Sequence, residues 1–322
     1  METTTAGKTG NTMWASTGTK SRKGSRLGAV AIPTEIAFHA VIGVFSLLCV
    51  LPYIFVIIIS FSSESSIREI GFSFTPREFS LEAYQYVFDM GDQLWRSFFN
   101  SIFISVVGTL LSVLICIMYS YSLYRRDFKY RRFFTIFSFI TMVFGGGLTP
   151  TYMVCKNMLG LNDNYAALIV PLLVSPFNFI IMRTFFQNSV PGALIESAFM
   201  DGSGEYRTLF SIIVPVSMPG IAAISLLNML AYWNEWFIAL LYINSSKYIP
   251  LQYLLMKMQQ QVEFLVNNSS KIGTEASVIA ASLPKESLRM ALVVIIVTPI
   301  AFAYPFFQRY IISGLTIGAV KG

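Results

Sequence analysis

The chain has 322 residues, of which 54% are hydrophobic and only 12% charged, and its formal net charge is +6. An average soluble domain carries about 25% charged residues, and a mean hydropathy of +0.61 is hard to reconcile with a surface that faces water. This composition excludes the disordered, collagen-like and disulfide-stapled classes and disfavours a soluble enzyme. The length allows about six membrane crossings of about 20 residues each.

Six stretches without Asp, Glu, Lys or Arg are long enough for a helix to cross a hydrocarbon layer of about 30 Å. They are Ile36–Phe61, Ser97–Tyr124, Phe133–Cys155, Asn164–Met182, Thr208–Asn234 and Met290–Gln308. Because the runs are continuous rather than alternating, they favour helices over a barrel. We predict an all-α integral membrane protein with six transmembrane helices over residues 36–313. The amphipathic start of the fifth helix, near Leu209, is expected to lie outside the bilayer.

The basic residues predict how the chain is oriented. The segment before the first run carries five Lys and Arg residues, and the loop after the second run, RRDFKYRR, carries five more. Cytoplasmic loops of membrane proteins collect Lys and Arg, so we expect both termini in the cytoplasm. The loop from Asn244 to Arg289 also has five basic residues, but long external loops follow this rule weakly.

Residues 1–35 are rich in Thr, Ser, Gly and Lys and show no apolar periodicity, which predicts a disordered basic arm. A signal peptide is the alternative interpretation. The apolar run that follows is longer than the core of a typical signal, and no small-residue cleavage pattern comes after it. We therefore expect the first helix to be retained.

Several kinds of chemistry are missing from the sequence. His39 is the one histidine, so a histidine triad or a histidine metal cluster is not expected. No G-x-x-x-x-G-K-[ST] phosphate-binding loop occurs, so any nucleotide that drives this protein must bind another chain. The basic residues flank apolar runs, which indicates membrane orientation rather than nucleic acid binding. We expect this chain to bind no metal and no cofactor.

The most informative segment lies between the fourth and fifth runs and reads VPGALIESAFMDGSGEYRTLFSIIVPVSMPG, from Val190 to Gly220. Its pattern predicts two short amphipathic helices separated by a turn at Gly202 and Gly204. The apolar residues at helical spacing are Leu194, Ile195, Ala198 and Phe199 in the first helix and Tyr206, Leu209, Phe210 and Ile213 in the second. Pro215 and Pro219 are expected to stop or kink the chain as it enters the membrane.

The apolar stripe of these two helices is expected to need a partner, and two kinds are open. A helix that lies on lipid usually carries many Lys and Arg residues on its polar face. Here the polar positions are Glu196, Asp201, Glu205 and Arg207, which anionic lipid would not attract. A groove on another protein is therefore favoured over the membrane surface.

These residues carry a resemblance to a known family. Glu196-Ser197-Ala198, then Gly202 after three residues, then Ile212-x-Val214-Pro215 after nine more, resembles the EAA loop of ABC importer permeases. The segment differs from that signature at Ser197, where the family has Ala, and at Val214, where it has Leu. In the family this loop forms the coupling helix that docks in a cleft of the ATP-binding subunit. The resemblance assigns that contact to Glu196, Ser197, Ala198, Asp201 and Gly202, within a coupling loop over residues 188–215.

Four further segments resemble the maltose-type carbohydrate permeases, and more narrowly the branch that imports oligosaccharides in Gram-positive bacteria. They are GGGLTPTYMVCKNMLGLNDNYAALIVP, YWNEWFIALLYI, YIPLQYLL and the ending ISGLTIGAVKG. The resemblance implies a non-catalytic subunit with the type I ABC importer permease fold, which lies in the bacterial cytoplasmic membrane in contact with lipid. It also implies a second homologous permease, two ATPase subunits that bind ATP and Mg²⁺, an extracellular solute-binding lipoprotein, and an oligosaccharide substrate.

In maltose-type permeases the C-terminal tail also reaches into the ATPase interface. Residues 314–322 would be that tail, with Gly318, Lys321 and Gly322 as contacts. A frayed terminus is the equally open alternative.

Candidate substrate contacts are harder to identify. Tyr232, Asn234 and Glu235 lie near the end of the fifth run and offer the aromatic, amide and carboxylate groups that hold sugars, and Asn178 is a buried-amide candidate. The alternative is that these side chains bond between helices, and that interpretation is favoured for Asn178 and for Asn100.

Three rival functions remain open. The chain could be an ABC permease for another solute. A secondary transporter would usually show an inverted repeat and several intramembrane acids, and neither is evident. A membrane enzyme would need clustered carboxylates or histidines at one interface, which the sequence lacks.

Overall fold

The computed structural model of the chain describes residues 32–268 and 284–319. Within these ranges the chain is helical and has no named strand, apart from an isolated antiparallel bridge between Ser62 and Phe79. The predicted all-α class is therefore confirmed for the described residues. The chain divides into two compact units, Met1–Leu51 and Pro52–Gly322.

The helices are numbered here in chain order. They are α1 (Ile32–Ser60), α2 (Glu64–Ile70), α3 (Glu82–Phe88), α4 (Asp92–Tyr124), α5 (Arg131–Val143), α6 (Leu148–Met153), α7 (Tyr165–Ile169), α8 (Pro176–Ser189), α9 (Gly192–Met200), α10 (Glu205–Thr208), α11 (Val214–Val216), α12 (Met218–Trp233), α13 (Phe237–Tyr242), α14 (Leu251–Asn267) and α15 (Lys285–Ala319). Two π-helical turns, Val154–Met158 and Leu209–Ile213, continue α6 and α10.

Between residues 32 and 268 and from 284 to 319, three helical stretches are long and apolar enough to cross a membrane, namely Thr34–Ser60 of α1, the whole of α4, and Lys285–Ile311 of α15. Three further pairs of helices pass the same test when each bent pair is taken as one span, which brings the count in the described residues to as many as six. The pairs are Arg131–Val143 with Leu148–Met158, Tyr165–Leu172 with Pro176–Ser189, and Glu205–Val216 with Met218–Trp233.

The bends follow from local sequence. The third run, expected to be one continuous helix, is instead broken by 114° after α5, where three glycines stand in a row and Gly147 has φ +82°. The fourth bends by 52° before Pro176, and a second proline, Pro171, lies in the same run; prolines interrupt the helical hydrogen-bond ladder. The fifth bends by 85° between Pro215 and Pro219, which separates its amphipathic front from α12 as expected.

The interior of the described part of the chain has two apolar clusters. One lies among α4, α7, α12, α14 and α15, and the other packs the loop between α8 and α12 against α4 and α8. Helices α4 and α12 approach closely at Gly108, where an added Cβ would lie 2.6 Å from the ring of Tyr232. This approach makes α12 a direct packing partner of α4.

Buried polar side chains bond to residues that are distant in the sequence. The Asn100 side chain donates to the carbonyls of Lys247 and Ile249 at 2.9 and 3.1 Å and accepts from the Tyr165 hydroxyl at 2.8 Å. The buried carboxylate of Glu64 accepts from the backbone N–H groups of Glu286 and Ser287 at the start of α15. The structural interpretation of Asn100 is therefore confirmed.

Candidate functional site: the loop between α8 and α12

Two short helices, α9 and α10, are joined by the turn Asp201–Gly204, as the glycine pattern predicts. Gly202 has φ +77°, a backbone region that favours glycine. Its N–H donates to the Phe199 carbonyl and the Ser203 N–H donates to the Ala198 carbonyl, each at 2.9 Å. These bonds satisfy carbonyls at the end of α9 and close the turn tightly.

The apolar stripe of the loop packs against this chain itself. Ile195, Leu209 and Ile213 are buried in the cluster that contains Met182 and Phe186 of α8. The expectation that the whole stripe needs an external partner is therefore wrong. Burial of these side chains fixes the loop to the bundle, because apolar area removed from water is the main stabilising contribution to packing.

The predicted apolar face of the second helix is also wrong in part. Tyr206 and Phe210 remain 72% and 43% exposed, whereas Leu209 and Ile213 are buried. The chain forms a π-helical turn over Leu209–Ile213, which the 3.6-residue periodicity of an α-helix does not anticipate. Leu209 and Ile213, the first and last residues of this turn, are its buried side chains.

A polar and partly apolar surface of the loop stays exposed. We call it the loop face and define it as Glu196, Ser197, Met200, Asp201, Gly202 and Tyr206. Met200 is 87% exposed and is the most exposed apolar side chain of the loop face. An open cavity of about 970 Å³ adjoins this face and is lined in part by Glu196, Phe199 and Met200. Four of the five predicted coupling residues lie on the loop face.

Ala198 is the exception among those five residues. Its side chain is only 5% exposed, on the inner side of α9. Its small size suits the close packing of α9 against the chain, and a partner could not reach it in this conformation. The second alanine of the signature, Ala198 in this chain, therefore lies on the inner side of α9, whereas Glu196 and Ser197 lie on its outer side.

A cluster of polar contacts joins the loop to the end of α4. Arg125 follows α4 directly, and its Nη2 lies 3.1 Å from Oε1 of Glu205 in α10. The same guanidinium lies 4.6 Å from the centroid of the Phe199 ring in α9 and donates through Nε to Asp127 at 2.8 Å. The Tyr121 hydroxyl donates to the second oxygen of Glu205 at 2.5 Å. We call these five residues the Arg125 cluster.

The electrostatics of the cluster follow from these contacts. The hydrogen bond from Arg125 holds the pKa of Asp127 below its ordinary value. The Arg125 side chain is 16% exposed, so it is largely shielded from water while it contacts two carboxylates. Sequence reasoning used Arg125 to predict orientation and missed this role, because Arg125 and Glu205 are far apart in the chain and no spacing rule connects them.

The predicted substrate residues lie in different surroundings. The buried Tyr232 hydroxyl donates to the Ile169 carbonyl at 3.0 Å, and the Asn178 side chain donates to Asn228 at 3.0 Å, so both groups bond between helices. Helix α12 ends at Trp233, and the Glu235 carboxylate accepts from the Ile238 N–H at 2.8 Å, at the start of α13. Asn234 is exposed in the same break. Their roles toward a substrate stay predictions.

The predicted tail lies only partly within the described residues. Gly318 belongs to α15, which continues to Ala319. Lys321 and Gly322 lie outside the described residues, and so do residues 1–31 of the predicted basic arm.

The fold and the loop define a helical integral membrane protein with long and bent spans and a short-helix loop that is anchored to one end of α4. Residues 132–317 match the binding-protein-dependent transport system inner membrane components. The chain belongs to this family and is thus a transport component of the bacterial plasma membrane, which confirms the resemblance drawn from the EAA-like loop.

Relatives and a solved structure agree with this assignment. The chain is 36% identical over 288 residues to the polygalacturonan/rhamnogalacturonan transport system permease protein YtcP of Bacillus subtilis, covering 89% of this chain and 98% of the relative. It is 29% identical over 305 residues to the arabinooligosaccharides transport system permease protein AraQ of Halalkalibacterium halodurans, covering 94% and 99%. A bacterial ABC transporter involved in the import of the acidic polysaccharide alginate contains a chain that matches with a TM-score of 0.71 and 26% identity, over 86% of this chain and 96% of that one.

Proposed function

We propose that the chain is a permease subunit of an ATP-driven importer for a carbohydrate, specifically an oligosaccharide. Three relatives or neighbours are described as transporting polymeric or oligomeric sugars, and the chain spans nearly their whole length. The three long stretches and the three bent pairs supply six membrane crossings, with the Glu205–Val216 arm of the third pair outside the bilayer. Both termini and the α8–α12 loop then face the cytoplasm, in agreement with the positions of the basic residues.

The observation that carries this proposal is the division of the loop into two faces. Its inner face is covered by α4 and α8, and its loop face remains free for another chain. In the proposed assembly the loop face docks on an ATPase subunit, which binds ATP and Mg²⁺. This chain itself is non-catalytic. A second homologous permease, a second ATPase subunit and an external solute-binding lipoprotein complete the importer.

The proposed mechanism is alternating access. Closure of the ATPase dimer around ATP moves the loop, and the loop moves the helices to which it is attached. A compact loop suits this role, because the bonds that close the Gly202 turn and the packing of Ile195 and Ile213 restrict movement within the loop. Asn234 and Glu235 are proposed substrate contacts, because they lie where α12 gives way to α13 and transporters commonly bind substrates at such helix breaks. Gly318, Lys321 and Gly322 are proposed as further ATPase contacts.

Replacing Glu196 with Lys tests the proposal. We expect Glu196→Lys to reduce the amount of cognate ATPase that co-purifies with the chain, because it reverses one charge on the loop face. The matched control is Glu82→Lys, an equal charge change at an exposed position of α3. Undiminished ATPase recovery with Glu196→Lys would remove Glu196 from the contact, and absence of any ATPase with the unmodified chain would contradict the proposed function.

A further inference from the structure

We propose that Arg125 is a positioning residue that makes α4 move together with the coupling loop. The inference rests on the proposed function and deepens it, because it names the connection through which ATPase motion would reach the transmembrane bundle. Arg125 belongs to neither the loop nor its EAA-like signature.

A single side chain contacts both helices of the loop. Arg125 pairs with Glu205, the first residue of α10, and lies over the ring of Phe199 in α9. Asp127 binds the guanidinium through two nitrogens, Nε and Nη2. Asp127, in the segment that follows α4, therefore orients the Arg125 side chain, which contacts both α9 and α10. The two short helices cannot move apart without breaking an Arg125 contact.

Two tyrosines of α4 add further hydrogen bonds to the loop. Tyr121, about one helical turn before Arg125, binds the other oxygen of Glu205. The Tyr124 hydroxyl donates to the Val190 carbonyl at 2.8 Å, where the chain leaves α8 for α9. The end of α4 is therefore bonded to the beginning of the loop and to its second helix.

The chemistry of this position calls for arginine. A planar guanidinium offers five donors in a fixed geometry and can stack on a ring while it pairs with carboxylates, whereas an ammonium is a flexible point charge. A single exposed ion pair holds two elements weakly. Here the guanidinium is 16% exposed and its partner Glu205 is 52% exposed, and one substitution at Arg125 removes the contacts with Glu205, Asp127 and the Phe199 ring together.

Movement at the end of α4 has a route into the bundle. Helix α4 packs along α12, with Gly108 in close approach to Tyr232. Apolar packing of the loop against α4 and α8 resists separation but has no fixed direction. The directional bonds to Glu205 and Val190 tie the loop to α4 specifically. Loss of Arg125 would leave the loop attached to the protein but less firmly connected to α4.

The test measures coupling rather than activity alone. The complete importer is reconstituted in liposomes with Arg125→Gln, and both ATP hydrolysis and sugar uptake are measured, together with the ATPase recovered by co-purification. Lys129→Gln is the matched control, since it removes one positive charge at an exposed position of the segment between α4 and α5, which also contains Arg125. Glu205→Gln is the second variant, because it removes the ion pair and keeps a side chain that can bind Tyr121.

We expect Arg125→Gln to co-purify with normal amounts of ATPase and to transport at least about fivefold fewer sugar molecules per ATP hydrolysed. Glu205→Gln should change this ratio in the same direction, Arg125→Lys should restore it in part, and Lys129→Gln should leave it unchanged. An unchanged ratio in Glu205→Gln, and in Arg125→Gln where that variant assembles, would overturn the inference while the proposed function stands. Failure of the unmodified chain to bind an ATPase would instead contradict the proposed function.

Discussion

At the scale of single residues, the glycines of the loop have distinct backbone roles that the sequence alone only partly reveals. Gly202 and Gly204 were both expected to break the helix. Gly202 has φ +77°, whereas Gly204 has φ −76° and ψ 166°, an extended conformation that any residue adopts. Neither position has an atom within 4 Å of an added Cβ. A substitution at Gly202 therefore changes backbone energy without steric overlap.

We expect Gly202→Ala to destabilise the turn by about 1–2 kcal/mol, because an L-residue pays that cost in the left-handed region. Uptake should fall while membrane insertion is kept, since α9 and the bundle remain intact. Gly204→Ala is the control and should transport normally. The measurement is sugar uptake in proteoliposomes with equal amounts of each variant, and equal uptake by Gly202→Ala would show that the turn conformation is not needed.

The contacts of the Arg125 cluster could not be predicted from local sequence. Glu196, Ser197, Asp201 and Gly202 could be found by resemblance because the signature is continuous in sequence. The contact of Arg125 with Glu205 and Phe199 depends on how α4 and the loop fold together. Charge patterns alone assign Arg125 to a basic loop and say nothing of its partner.

At the scale of helices, hydropathy located every apolar run but not the breaks within them. Individual prolines predict bends at the fourth and fifth spans, and the structure has them. The break after α5 falls at the run Gly145-Gly146-Gly147, a local signal that hydropathy does not register. The π-helical turn over Leu209–Ile213 was missed because apolar composition is the same in α-helical and π-helical segments.

The bond between Asn178 in α8 and Asn228 in α12 separates a structural role from a substrate role. We expect Asn178→Leu to lower the free energy of unfolding by about 1 kcal/mol, because it leaves a buried amide without its partner. The double variant with Asn228→Leu should recover much of this loss, since both polar groups are then gone. The measurement is thermal unfolding in detergent, with uptake KM as the second readout. A changed KM with unchanged stability would assign Asn178 to the substrate pathway instead.

At the scale of the whole molecule, composition and the length of the apolar runs together predict the class. The low charge and the six apolar runs predict a helical membrane protein, and the described residues agree. The side of the loop that packs against its own chain could not be predicted, because an amphipathic pattern marks an apolar face without naming what covers it. The structure corrects this point, and the loop face is consequently smaller and more polar than the sequence implies.

The most direct test of the account is crosslinking of the loop face in the assembled importer. Ser197 is replaced by Cys in a chain whose exposed Cys49 has been changed to Ser, while Cys116 and Cys155 are buried. Thr75→Cys, exposed in the loop between α2 and α3, is the control. We expect a short bifunctional reagent to join Ser197→Cys to the ATPase and to leave Thr75→Cys unjoined. An ATPase that co-purifies but never crosslinks to Ser197→Cys, or crosslinks equally to Thr75→Cys, would contradict the claim that the ATPase subunit docks on the loop face.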